Sequence, residues 1–424
     1  MDWNERLDEL EQYYTQKKNP DQFHLNRILG EIRIIRKFTM FNDIAAMRAS
    51  NEEIARLLNG QNSYIAFQRD EFTFASPHYL YLYFRNRGGF EGLAKLLSED
   101  VGYARFSDGC GTGGDSLAPA EYALETGDLD HVAAHCRKAV AKAKSMSQTC
   151  IVICAMFALI RLHLAQGRAD HGLNLLSQME QEVEALNNST YNTTVDLCRG
   201  YVFACLGRPE QIPSWLQTGE LRAADFFSQG IAFNCVVYGK TLLALGKYEE
   251  LEAHIPQFQT CFDQFSNRLG LIHNLIFKAA ARCHLYGLEK GAAVLETALA
   301  EAQPDNLALL FAEYAPHIMG MVKLIVQKRG RNEFYSRILT LCRKYESSLS
   351  GTSCPAATLS QREIDVLSLA AMGLSRKEMA ARLYISEETA KTHFKNIYQK
   401  LGVNSKVAAI KLARDRGYLS MDET

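Results

Sequence analysis

A glycine turn that recurs about every 40 residues is the feature that most constrains this chain. Each glycine follows a Leu- or Ala-rich segment and precedes an amphipathic one with apolar residues three or four apart. A helical hairpin of that length cannot bury its apolar face alone, so the period predicts a solenoid of stacked hairpins. The turn glycines are Gly88, Gly127, Gly167, Gly207, Gly246, Gly287 and Gly330.

The pattern predicts an all-α body over residues 1–345 with about seven to eight helical hairpins. Glycine at each turn supplies the left-handed backbone that ends a helix. Leu29–Phe38 and Ile44–Leu58 fit an earlier helical pair, and the weakly alternating Ser63–Phe74 is expected to be an extended link.

Neither export nor membrane insertion is predicted from the composition. The charged start lacks a secretory signal, and the longest apolar stretch, Cys150–Ile160, is about half of a bilayer span. We therefore expect a cytoplasmic protein, with its 11 cysteines as reduced core thiols. The pairs Cys150/Cys154 and His131/His135 could each supply two metal ligands. Zinc needs three or four, so no metal and no cofactor is predicted.

A change of composition suggests a domain boundary after Tyr345. The helical pattern is expected to stop there, and the Ser/Gly/Thr-rich Ser347–Pro355 is typical of a flexible linker. The predicted divisions are 1–345 for the repeats, 346–357 for the linker and 358–424 for a last domain. Leu359–Tyr418 carries 11 Lys and Arg against six Asp and Glu, whereas the whole chain has a net charge of −1. A basic end on an acidic body is expected when one domain binds DNA.

The last domain is predicted to contain a helix-turn-helix. Capping boxes at Ser360/Glu363 and Ser375/Glu378 open two short helices, and a third of about 15 residues follows. Its buried stripe is Ala390, Phe394, Ile397 and Leu401. A short helix, a tight turn and a longer helix is the arrangement that reads DNA.

Helical geometry then decides which side chains of the third helix face a duplex. The side opposite the buried stripe carries Lys391, Thr392, Lys395 and Gln399. Ser386 leads the helix, where the dipole favours a phosphate.

This segment resembles the LuxR-type helix-turn-helix over roughly 60 residues without a gap. Arg376, Ala390 and Lys406 depart from the usual Asn, Val and Arg. The residues that match are Leu359, Arg362, Glu363, Val366, Leu367, Gly373, Ser375, Lys377, Glu378, Ala380, Leu383, Ile385, Ser386, Thr389, Lys391, His393, Ile397, Lys400, Leu401, Gly402, Val403 and Ala408.

The resemblance implies a four-helix domain and roles for individual residues. It implies base contacts for Lys391, Thr392 and Lys395, and backbone contacts for Lys377, His393 and Lys406. It also implies a last helix that joins two domains in a dimer, through Val407, Ala408 and Ile410.

The hairpins resemble tetratricopeptide-type repeats, and their longer period is similar to the effector domain of MalT-like regulators. The segment Glu71–Tyr83 also looks like that group. Such regulators carry an ATP-binding domain ahead of the repeats, which is absent here. The chain is therefore either a shorter regulator or a fragment of a longer one.

Two motifs typical of nucleotide sites do not fit an all-helical body. Gly109–Gly114 matches G-x-G-x-x-G but lacks the flanking strands, so a flexible loop is expected. Gly239-Lys240-Thr241 falls inside a predicted repeat helix. With no catalytic cluster, no enzyme is predicted.

The sequence thus predicts a bacterial DNA-binding transcription regulator, bound to paired promoter half-sites as a homodimer. Its repeats would sense a small-molecule or peptide effector in a concave groove. The alternative is an adaptor whose repeats dock a protein such as RNA polymerase while DNA binding is constitutive.

Overall fold

A computed structural model describes residues 3–17, 21–40, 43–68, 74–99, 102–188, 191–220, 230–350, 361–383, 385–401, 403 and 405–415. The chain divides into two compact units, which we call the repeat unit, Met1–Gly351, and the C-terminal unit, Thr352–Thr424. In the described residues of both units the regular structure is helical, as predicted. None of these helices combines the length and the apolar character that a membrane span requires.

The helices of the repeat unit are α1 Trp3–Thr15, α2 Gln22–Phe38, α3 Ile44–Ala49, α4 Asn51–Leu58, α5 Tyr79–Tyr83, α6 Phe90–Glu99, α7 Gly114–Thr126, α8 Leu129–Ser145, α9 Thr149–Ala165, α10 Ala169–Ala185, α11 Asn192–Cys205, α12 Ser214–Thr218, α13 Ile231–Ala244, α14 Tyr248–Gln264, α15 Arg268–Tyr286, α16 Leu288–Ala302, α17 Leu309–Ala312, α18 Ala315–Arg329 and α19 Glu333–Ser350. Those of the C-terminal unit are α20 Gln361–Ala371, α21 Arg376–Leu383, α22 Glu387–Leu401 and α23 Lys406–Asp415.

All seven turn glycines have the predicted left-handed backbone, with φ between 64° and 96°. Each lies between the first and second segments of one hairpin, so the period marks the hairpins as predicted. The fourth hairpin differs from the expected pair of long helices. After Gly207 it continues with a short 3₁₀ turn, Pro209–Gln211, and the five-residue α12.

The first of the seven hairpins, around Gly88, contacts the segment between the sixth and the seventh, which an open solenoid would not do. The backbone amides of Gly88 and Phe90 donate to the Asp305 carboxylate at 2.7 and 2.8 Å. At the end of the unit, the Ser348 hydroxyl on α19 donates to the carbonyl of Leu164 on α9 at 2.8 Å. The hairpins of Tyr79–Ser350 therefore close into a ring.

Ring closure buries most of the surface of several first helices of the hairpins. In α9 most residues are buried, including both Cys150 and Cys154, and in α13 burial extends to Asn234 and Lys240. The expected concave groove is therefore largely filled, in the described repeats, by side chains packed against one another.

A buried charge network joins five parts of the ring. The Arg161 guanidinium on α9 lies 2.6 Å from the Glu125 carboxylate on α7 and 2.7 Å from the Glu313 carboxylate before α18. The Tyr201 hydroxyl on α11 donates to Glu313 at 2.5 Å, and His78 Nε2 lies 2.8 Å from Glu125. Burial alone would raise the pKa of Glu125, but Arg161 and His78 hold that pKa below its ordinary value.

Two details differ from the sequence-based picture, and a third prediction lies outside the described residues. The helical pattern does not stop at Tyr345, because α19 runs to Ser350 and its buried Tyr345 and Ser348 pack into the ring. Residues 351–357, most of the predicted linker, lie outside the described residues. The expected flexible loop Gly109–Gly114 is a compact turn in which the Gly111 amide donates to the Gln148 side chain at 2.7 Å.

Replacing Arg161 by Met should lower the free energy of unfolding by about 3–5 kcal/mol, because two buried carboxylates lose their counter-charge. The exposed Lys328→Met, whose pair with Glu289 is open to solvent, is the matched control and should leave stability unchanged. Both are measured by urea unfolding followed by circular dichroism.

The free energy of unfolding of the Arg161→Met variant should change with pH in the opposite direction to that of the parent chain. The lowered pKa of Glu125 stabilises the parent above about pH 4.5 and ceases to do so as pH falls. Without Arg161, only His78 opposes the effect of burial on the pKa of Glu125, so this pKa rises, protonation relieves the penalty and the variant should regain stability from pH 7 to pH 5. If the free energies of unfolding of the two chains changed in parallel between pH 7 and pH 5, this role of Arg161 would be contradicted.

Candidate nucleic-acid interface

The C-terminal unit has its own small apolar core. Helices α20, α21, α22 and α23 each contribute to it, and Gly373, two residues after the end of α20, has a φ of 84°. Because the four helices share this core, they hold α22 in a fixed orientation within the unit. The core residues are Val366, Leu367, Ala370, Met379, Phe394, Ile397, Ala409 and Ala413.

The start of α21 is held by the predicted capping box. The Ser375 amide donates to the Glu378 carboxylate at 2.8 Å, and the Glu378 amide donates to the Ser375 hydroxyl at 3.4 Å. These hydrogen bonds lower the pKa of Glu378. Of the box predicted at Ser360/Glu363, Ser360 lies outside the described residues and Glu363 is buried.

A tight turn joins α21 to α22. The Ile385 amide donates to the carbonyl of Ala380 at 3.0 Å, which closes the end of α21. The Ser386 hydroxyl then accepts the Thr389 amide at 3.0 Å and so caps α22. Ser386 thus stands at the N-terminal end of the longer helix, as expected, where amides and the helix dipole attract anions.

The buried side of α22 is the one that the sequence predicted. Ala390, Phe394 and Ile397 are buried, and Lys391 is exposed. Thr392 and Lys395 lie within the helix, but their side chains are outside the described part of the unit. His393 is half-buried, whereas Lys377 on α21 is exposed.

Lys406 has a partner within the unit that sequence reasoning missed. Its ammonium group donates to the carbonyl of Leu374 at 3.1 Å, which ties the start of α23 to the turn after α20. Two of its N–H groups remain for other acceptors. Ser405 also caps α23, since its hydroxyl accepts the Ala408 amide at 3.2 Å. A serine just before a helical run is the signal that could have revealed this cap.

The residues proposed for dimer contact lie on α23. Ala408 and Ile410 are half-buried, and Ile410 packs against the core of its own unit. The Val407 side chain is outside the described residues. The helix therefore shares its apolar side between the core and the surface.

Two family models match separate parts of the chain. Residues 357–413 match bacterial regulatory proteins of the luxR family, and residues 116–323 match the MalT-like TPR region. Both resemblances that the sequence suggested are confirmed: the chain carries a luxR-family helix-turn-helix domain and a MalT-like repeat region.

Curated relatives match over short stretches of the chain. A nitrate/nitrite response regulator protein homolog of Haemophilus influenzae is 52% identical over 58 residues, which are 14% of this chain and 28% of the relative. The nitrate/nitrite response regulator protein NarP of Escherichia coli is 40% identical over 90 residues, 21% of this chain and 41% of the relative. The regulator AlkS of Alcanivorax borkumensis is 40% identical over 63 residues, 15% of this chain and 7% of the relative. The chain thus spans less than half the length of each of these three.

Removing a cap should loosen only the helix that it opens. Ser375→Ala should cost about 1 kcal/mol of local stability and speed amide hydrogen exchange in α21 roughly fivefold. Ser386→Ala is the reciprocal control and should act on α22 instead. Amide hydrogen exchange of the full chain, followed by mass spectrometry, measures both effects. If either variant accelerated exchange equally in α21 and α22, the idea that each serine caps its own helix would be contradicted.

Proposed function

We propose that this chain is a DNA-binding transcription regulator that lays α22 along the major groove of a duplex. The observation that carries the proposal is the register of α22 in a luxR-family domain: its apolar stripe is buried and Lys391 is exposed. In this proposal Lys391, Thr392 and Lys395 contact base edges, because helical periodicity predicts that all three share the side away from the buried stripe.

Phosphate contacts flank that helix in the proposed complex. Lys377 is exposed on the preceding helix, and Ser386 stands at the start of α22, where the helix dipole favours an anion. His393 and Lys406 complete the proposed set. Lys406 would hold a phosphate while still donating to Leu374, as a three-donor ammonium can.

We infer that two such domains pair through α23 on adjacent half-sites. Ala408 and Ile410 are only half-buried within one unit, and the luxR-type resemblance supports Val407 as a third contact. Pairing two domains explains how a four-helix unit, too small to specify a long site, could select a promoter.

The proposed role of the repeat unit is to sense a small-molecule effector. Closure of the ring favours a compact ligand over a long peptide, because the first helices of the hairpins are packed against one another. The names of the curated relatives, which are transcription and response regulators, support a regulatory role for the whole chain.

The DNA proposal is tested by selecting duplexes from a random library with the full chain and then titrating the enriched sequence. Lys391→Ala and Lys395→Ala should each weaken binding to it by about 1–3 kcal/mol, with less effect on unrelated duplexes. Lys377→Ala should weaken binding to all duplexes alike and reduce the slope of log K against log salt by about 1. Lys328→Ala in the repeat unit is the control. Failure to enrich any sequence, even at low salt, would overturn the proposal.

A further inference from the structure

A cavity of about 360 Å³ opens in the repeat unit between the turns of the fourth and fifth hairpins. The exposed turn residues Gly207 and Gly246 are part of its lining, so solvent can reach it. Most of its wall is apolar, and the groups that stand out chemically are Cys205, Lys240, Glu313, Tyr314 and His317.

Lys240 is the unusual member of this lining, because only 3% of it is exposed. Its ammonium nitrogen lies 3.6 Å from the ring centre of Tyr314 and 4.4 Å from that of Tyr201. The hydrogen-bond acceptor that it meets is the Cys205 sulfur, at 3.5 Å, and a thiol is a weak acceptor. In the described part of the chain no carboxylate lies within 4 Å of it. A buried ammonium with so little compensation is costly.

The Glu313 carboxylate does not neutralise Lys240, although it also lines the cavity. Its two oxygens accept hydrogen bonds from the Arg161 guanidinium at 2.7 and 3.1 Å, and one also accepts the Tyr201 hydroxyl. The hydrogen-bonding capacity of that carboxylate is therefore used within the buried charge network. The charge of Lys240, which lines the cavity, is not compensated by it.

Half-buried His317 lies in the same wall. Its burial and the charge of Lys240 lower its pKa to about 4, so near neutral pH the ring is uncharged and carries one N–H. The lining thus offers the positive charge of Lys240 and the neutral donors of His317 and Tyr248, set among apolar residues such as Leu206 and Leu243. Such a surface suits one anionic head group joined to an apolar body.

We propose that this cavity binds a small organic monocarboxylate, with its carboxylate on Lys240 and its apolar body against the aliphatic wall. A charged hydrogen bond to a buried ammonium supplies the affinity. An inorganic anion would leave the apolar wall unfilled, and a dianion would exceed the one charge that the site offers. The wall includes Leu349 of α19, two residues before the boundary at Gly351. The role of this ligand as the effector rests on the proposed function, whereas its binding does not.

Calorimetric titration of the full chain at pH 7 with straight-chain carboxylates from acetate to octanoate tests the proposal. Hexanol, which has the apolar body without the charge, and inorganic phosphate, which has charge without the body, are the comparison ligands. We expect a carboxylate of intermediate chain length to bind at least about tenfold more tightly than hexanol or phosphate. Lys240→Met keeps the length of the side chain but removes its charge, and it should abolish this preference. Lys290→Met, an exposed lysine on α16 outside the lining, should bind like the parent.

The thermal midpoint without ligand provides a second measurement that separates binding from folding. Replacing an uncompensated buried charge by an apolar side chain should leave the midpoint of Lys240→Met unchanged or raise it. Equal binding of hexanol and the carboxylates, or a carboxylate preference that survives in Lys240→Met, would overturn the proposal. Duplex selection and ligand titration are independent experiments. A negative result in the titration therefore overturns the carboxylate site without affecting the proposal of DNA binding.

Discussion

The ion pairs of Arg161 are the interaction on which the repeat unit depends. One guanidinium inside the ring meets two carboxylates, Glu125 from the second hairpin and Glu313 from the segment before the last one. Each of these charges would be costly to bury alone, and together they are satisfied only when the two distant parts of the chain come together. The network therefore favours the closed arrangement over an open array of the same hairpins.

The same network shapes the cavity next to it. Because Glu313 is occupied by Arg161 and Tyr201, it cannot serve Lys240, and the cavity keeps a positive charge. Tyr314, the next residue in the chain, forms part of the wall and stacks against that ammonium group. Structural support and ligand recognition thus share neighbouring residues, so an effector bound here would act on the packing that closes the ring.

The sequence contained the local features of both units but not the contacts between distant segments. The seven glycines, the Ser375/Glu378 capping box and the buried stripe of α22 depend on residues within a few turns of helix, so their patterns were readable. Arg161 lies in an apolar run, and its partner Glu313 is 152 residues away, which periodicity cannot indicate. The Ser-rich end of α19 looked like a linker because the acceptor of Ser348 lies 184 residues earlier.

Closure of the ring also restricts how such a protein can evolve. An open solenoid can gain or lose a hairpin, since its ends are free and the new end needs only a polar surface. Here the hydrogen bonds of Asp305 with Gly88 and Phe90 join the first of the seven hairpins to the segment between the sixth and the seventh. A duplicated or deleted hairpin would separate these partners, so the number of repeats is fixed by geometry, and variation between descendants is confined to turns and outer surfaces.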